Sequence, residues 1–172
     1  MATEPIRAKI IEEAKRIEND TLYSAKGHYE AAKYWRNLHL LIGIPTAILS
    51  AAAGASALTQ FDNHSIIAGF LAITVAALTA LTTFLNPNEK ANSHQSTGDK
   101  FSAIRNGIRM FYNIDSSLAT PEDELIRQLK DFAKQRDDLN QNSLPISGWA
   151  YKRAQKVIKN KAIAKAKNQS NP

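Results

Sequence analysis

Four histidines are the side chains best suited to do chemistry in this chain, and their placement argues against it. His28, His39, His64 and His94 are scattered, and no two share a helix at the spacing that puts a pair of imidazoles on one metal ion. The chain has no cysteine, so it offers no thiolate ligand, no thiol nucleophile and no disulfide framework. It has no glycine-rich phosphate loop, no nucleophile elbow and no paired-carboxylate pattern. The expectation is a protein that is not an enzyme and that holds no cofactor and no metal. His28 and His94 could still approach each other if the segments that carry them pack together. The remaining polar groups in unusual surroundings are hydroxyls: Thr46, Ser50, Thr74, Thr79 and Thr82 stand in stretches that are otherwise apolar.

Those stretches, residues 38–58 and 66–85, are what must position everything else. The second has no ionisable side chain and no proline. Twenty helical residues rise about 30 Å, roughly the hydrocarbon thickness of a bilayer. The chain has 172 residues, and its apolar side chains are concentrated in the middle between charged arms. A soluble domain would spread them periodically instead. The expected fold is therefore an all-α membrane protein: a two-helix transmembrane hairpin with cytoplasmic helical arms forming a bundle. Its parts are an N-terminal cytoplasmic helix (1–37), a first transmembrane helix (38–58), an external loop (59–65), a second transmembrane helix (66–85), cytoplasmic helices (86–141) and a basic tail (142–172). The competing reading is a helical hairpin buried inside a soluble helical protein. It needs a large apolar layer to cover the pair, which the arms do not supply. Residues 1–13 contain acids and lack an apolar core, so no cleavable signal peptide is expected, and the first span acts as an uncleaved anchor.

Charge sets the orientation. The loop 59–65 carries no Lys or Arg, whereas Lys26, Lys33 and Arg36 precede the first span and Lys90, Lys100 and Arg105 follow the second. The positive-inside rule puts both termini in the cytoplasm, with the protein in the inner membrane. Tyr34 and Trp35 fall at the inner boundary and Phe61 at the outer one, where amphipathic rings settle.

Small residues recur every fourth position in the first span (Gly43, Ala47, Ala51, Ala55), beside a second row of Thr46, Ser50 and Gly54. The second span has Ala68, Ala72, Ala76 and Ala80. Such rows let helix backbones approach closely in lipid. One row on each helix makes the hairpin, and the spare rows imply a homo-oligomer. Two helices cannot enclose a path for ions, so any channel needs several copies. Thr46, Ser50, Gly54, Thr74 and Thr79 are the candidate pore or packing residues. Their hydroxyls either line a path or bond to helix backbones. Pro45 removes one backbone bond and should bend the first span, as a hinge or as a plain kink.

The arms read as helices. Ile6, Ile10, Ala14, Ile17 and Thr21 form a narrow stripe, with Thr3 as a cap and Pro5 in the first turn. Asn86-Pro87 breaks the second span, after which Phe101, Ile104, Ile108 and Phe111 share a face. Thr120-Pro121-Glu122-Asp123 signals another start, with Thr120 as the cap, followed by the stripe Leu125, Leu129, Phe132 and Leu139. The net charge of +6 belongs to the tail: no acid follows Asp138, while Lys152, Arg153, Lys156, Lys159, Lys161, Lys165 and Lys167 do. Trp149, Ala150, Ala154, Val157 and Ile158 fall towards one side of it. Lys152, Arg153, Lys156 and Lys159 are candidates for contact with anionic lipid or another anion. Nucleic acid is not the expected partner, because aromatic residues are thinly interleaved with the cations.

The segment HYEAAKYWRNLHLLIGIPTAILSAAAG, then a short loop, then a second span ending TFLNPNEKANSHQSTGDKF, resembles the SLATT family of two-transmembrane effector domains. The most specific residues are Phe84, Leu85, Asn86, Pro87, Lys90, Ala91, His94, Gly98 and Phe101, supported by Trp35, Ile44, Pro45 and Gly54. The resemblance covers about residues 12–138, and the basic tail has no counterpart in it. It implies a pore-forming effector of a bacterial anti-phage or conflict system, acting with a nucleotide-signalling enzyme or a reverse transcriptase as partner. Trp35, Pro45, Pro87 and His94 are then the candidate structural or gating residues, with Gly54 beside them. The alternative is a membrane-anchored scaffold that recruits a soluble partner and conducts nothing.

Overall fold

The computed structural model describes residues 6–59, 63–117 and 120–169. Five α-helices follow one another in these residues: α1 (Ile6–Leu58), α2 (His64–Leu85), α3 (Pro87–Asn113), α4 (Glu122–Asn142) and α5 (Gly148–Gln169), with a short 3₁₀ turn at Asp115–Ser117. Thr3, Pro5 and Phe61, expected at a cap, a first turn and a membrane boundary, lie outside the described residues. The chain divides into two compact units. One is Met1–Ala31 with Ser93–Pro172, and the other is Ala32–Asn92.

The first unit has a conventional apolar core. Ile10, Ala14 and Ile17 of α1 meet Ile104, Ile108 and Phe111 of α3 and Leu125 of α4, with Leu129, Phe132 and Leu139 packed half-buried around them. These are the stripes expected from three- and four-residue spacing. Fully burying such a side chain contributes about 1.5–3 kcal/mol relative to leaving it in water. The stripe on α1 continues to Thr21, which is 0 % exposed and donates its hydroxyl to the Ile17 carbonyl at 3.0 Å. Its other end, Ile6, is exposed. Close packing explains one glycine directly. A Cβ at Gly98 would lie 2.7 Å from the Tyr29 ring, so only a hydrogen there lets α1 and α3 approach as they do.

One local expectation is corrected at a helix end. Thr120 does not cap α4. Its hydroxyl bonds the Asp115 carbonyl at 3.2 Å, and α4 instead starts from Pro121, whose carbonyl accepts from the amides of Glu124 and Leu125. Glu122, Asp123 and Glu124 fill the first turn, where carboxylates favour the exposed amides. The break at Asn86-Pro87 is only one residue long. Asn86 adopts φ 43, ψ 55, its amide closes α2 on the Thr82 carbonyl at 3.0 Å, and Pro87 opens α3 directly. Proline suits a first helical position, where no amide donor is required.

In the second unit α1 passes through Pro45 without ending. α2 has no buried residue at all. The apolar stretches of α1 and α2 are both long and apolar enough to cross a membrane.

Candidate functional site

Within the apolar unit, exposure separates each helix into faces. Half-buried positions on the apolar part of α1 are Leu38, His39, Ile42, Gly43, Thr46, Leu49, Ala53 and Ser56, and His39, Ile42, Thr46, Leu49, Ala53 and Ser56 among them follow alternating steps of three and four. Those on α2 are His64, Ala68, Leu71, Thr74, Val75, Leu78, Thr82 and Leu85, and all but Thr74 follow the same alternation. Positions three and four apart share one face of a helix, and this half-buried face on each, the seam, is the one shielded within the unit. The seam was legible in the spacing of Ile42, Leu49, Leu71 and Leu78.

The small rows lie mostly beside the seam. Ala47, Ser50, Ala51, Gly54 and Ala55 are exposed on α1, as are Gly69, Ala72, Ala76, Thr79 and Ala80 on α2. A Cβ added at Gly43, Gly54 or Gly69 would touch nothing within 4 Å. Because the two helices of a hairpin run in opposite directions, the flanks that carry Ser50–Gly54 and Ala72–Thr79 fall on one side of it. The other side carries bulk: Leu41, Ile44, Ile48, Ile66, Phe70, Ile73 and Phe84, all more than half exposed.

The hydroxyls divide in the same way. Thr46 sits in the seam and donates to the Ile42 carbonyl at 2.7 Å. Thr74 donates to Phe70 at 2.9 Å, Thr82 to Leu78 at 2.9 Å and Thr83 to Thr79 at 3.0 Å. These groups are satisfied by their own helix, a habit of Ser and Thr in helices that leaves little polarity on display. Ser50 and Thr79 face outward.

At the end of the unit that carries the aromatic pair, Lys90 lies over the Trp35 ring with its ammonium 4.5 Å from the centroid. Tyr34 meets the same indole edge-on at 5.5 Å. Pro87 is buried. A cation held on an indole face is worth about 0.5–2 kcal/mol, depending on how far it is desolvated. Pro45, by contrast, is exposed.

In the other unit the structure brings His28 and His94 together. Their Nδ1 atoms lie 2.9 Å apart, and the two rings are 2 % and 4 % exposed. One Nδ1 must carry a proton and donate while the other accepts, so the pair needs opposite tautomers. The Phe101 ring stacks on His28 with centroids 5.6 Å apart. Burial, and then the neighbouring His94, lower the His28 pKa from 6.5 to about 4; burial lowers that of His94 as well. Both rings are therefore neutral at pH 7. The next residue, Tyr29, donates its hydroxyl to Asp99 at 2.8 Å and lies 3.0 Å from the Ser102 hydroxyl. Glu18 gathers Arg105 at 3.0 Å and the Tyr112 hydroxyl at 2.9 Å. Tyr29 and Glu18 were not singled out by sequence, since nothing in their spacing marks a tyrosine or an acid as a cross-helix partner. Among the described residues no group of three His, Cys, Asp or Glu could hold a metal ion.

The model of the family described as SMODS and SLOG-associating 2TM effector domain family 4 matches residues 10–169. The chain belongs to the SLATT family. Comparison with curated proteins and with solved structures returned no match. The SLATT match spans both apolar helices and reaches the end of α5, so the basic tail belongs to the family domain, and the boundary expected near Asp138 is corrected. A two-transmembrane effector domain requires two membrane helices, and this SLATT chain offers them as α2 and the second part of α1.

Proposed function

We propose that this protein is an oligomeric effector of the bacterial inner membrane that permeabilises the bilayer as part of a conflict system, with both termini in the cytoplasm. The observation that carries this reading is the two-sided hairpin. Its bulky side suits lipid tails, whereas its small side, with Ser50, Gly54 and Thr79, is shaped for close approach by further helices. Copies joined along that side surround a lumen lined by hydroxyls and backbone rather than by charge. Thr46 and Thr74 then act as packing residues, because the hairpin and their own backbones already engage them. Trp35 with Lys90, and Pro87 at the start of α3, hold the cytoplasmic end of the hairpin, and Pro45 supplies the bend. The family's association with SMODS and SLOG supports a partner in nucleotide signalling. A loop without Lys or Arg and arms rich in both support the orientation.

The test is a planar-bilayer or dye-release measurement on the purified protein, paired with cross-linking in lipid discs. Ser50→Leu with Thr79→Leu should abolish release and weaken oligomers while leaving the helical content intact. Undiminished release by that variant sinks the proposed lining. Monomers that conduct nothing even with the cognate partner active would leave the membrane-anchored scaffold as the better account.

A further inference from the structure

α5 has two sides of different chemistry. Ala150 and Ala154 are fully buried and Val157 and Ile158 half-buried, which makes one side the packing side. The helix is tied down beside it. Tyr151 approaches Tyr23 with ring centroids 6.2 Å apart, and the Arg153 guanidinium lies 3.1 Å from Glu30. Trp149, expected with the alanines, instead falls on the opposite side and is 43 % exposed. That opposite side reads Trp149, Lys152, Lys156, Lys159 and Ile163, in alternating steps of three and four. All five are exposed, Ile163 by 57 %. An indole, three ammonium groups and a branched apolar side chain therefore share one stripe. Arg153, grouped with these lysines by sequence, lies off the stripe and is engaged by Glu30.

The composition of the stripe selects its partner. No carboxylate follows Asp138, so the helix cannot neutralise itself. A purely solvated face would not display Trp and Ile along a row of lysines. A nucleic-acid groove would alternate several rings with the cations. Lysine stems with ammonium tips, flanked by Trp and Ile, match the headgroup layer of an anionic bilayer, where cations meet phosphates and apolar bodies reach the acyl boundary.

We propose that the Trp149–Lys152–Lys156–Lys159–Ile163 stripe of α5 docks onto an anionic bilayer surface, a lipid contact separate from the apolar hairpin. It rests on the membrane reading of that hairpin, which brings a bilayer to the chain. Because the chain has no cysteine, a single Asn160→Cys change allows one fluorophore to be placed beside the stripe in the full-length protein. The labelled protein is assembled into discs of phosphatidylcholine alone or mixed with phosphatidylglycerol, and quenching by neutral acrylamide is measured. Quenching should fall several-fold in the anionic discs, return in high salt, and stay high when Lys152, Lys156 and Lys159 are all changed to Gln. Lys134→Gln on α4 should leave the protection unchanged. Equal quenching in both kinds of disc overturns this contact alone. Protection that instead requires an oligonucleotide or an acidic peptide overturns it in favour of that partner. Recovery of the chain as monodisperse protein without detergent or lipid overturns this proposal and the hairpin reading together.

Discussion

The two units of this protein are built by opposite rules from the same helix. In the unit of Met1–Ala31 and Ser93–Pro172, apolar side chains are hidden: Ile17, Ile108, Phe111 and Leu125 are at most 1 % exposed. In the unit of Ala32–Asn92, the large apolar side chains are displayed, 89 % exposed at Leu58 and 88 % at Phe84, and α2 buries none of its residues. Residues of one chemical type thus sit inside one unit and outside the other. The first unit has its own core, whose burial stabilises it. The second has about one face per helix half-buried, and the rest of its apolar surface is exposed.

The sharpest way to break this contrast is to truncate one aromatic in each unit. Phe111→Ala removes a ring that is 0 % exposed and packs edge-on to Phe132 at 5.9 Å. It should cost about 3–5 kcal/mol in denaturant unfolding followed by circular dichroism. Phe84→Ala should shift the same curve by less than about 0.5 kcal/mol; equal losses would mean that Phe84 is packed by protein.

Acid should weaken the first unit. The folded state holds His28 neutral, with its pKa at about 4 against 6.5 when exposed, so the unfolded chain takes up the proton first. Stability should be level above pH 6.5 and fall progressively towards pH 4, by about 3 kcal/mol from this group. Unfolding midpoints measured across that range, with His28→Gln flattening the slope, check the sign and the assignment.

Smaller effects refine the comparison. Gly98→Ala forces a methyl into the Tyr29 ring and should disturb its bonds to Asp99 and Ser102. The expected cost is about 1–3 kcal/mol, with a change in tyrosine fluorescence. Glu18→Gln loosens Arg105 and Tyr112 and should cost about 1 kcal/mol, less in high salt. A Glu18→Gln midpoint indifferent to salt would show that the loss lies in packing and not in charge.

Much of this was legible in the residues. Periodic stripes such as Phe101, Ile104, Ile108 and Phe111 define a buried face whatever surrounds it, and all four are buried. The apolar stretches announced themselves by length alone. What spacing could not convey was which of several faces a helix would use. The small rows of α1 and α2 are mostly exposed, although Gly43, Thr46 and Ala68 from them are half-buried beside Ile42, Leu49, Leu71 and Leu78. Trp149 was misplaced for a related reason: next to Ala150, it is one residue, and so 100°, from the packing side. The meeting of His28 and His94 joins residues 66 apart, and only the packed helices make it specific.

α2 is bracketed by two asparagines in left-handed conformation, Asn63 at φ 63 and Asn86 at φ 43. Each is a stop that most side chains tolerate poorly, so the helix cannot trade residues with its neighbours in sequence. Inserting one amino acid between them would leave both stops in place and swing every later side chain by 100°. The seam leucines would then turn to the exposed side while the alanines took their place. The length of this rod is as much a specification as its composition.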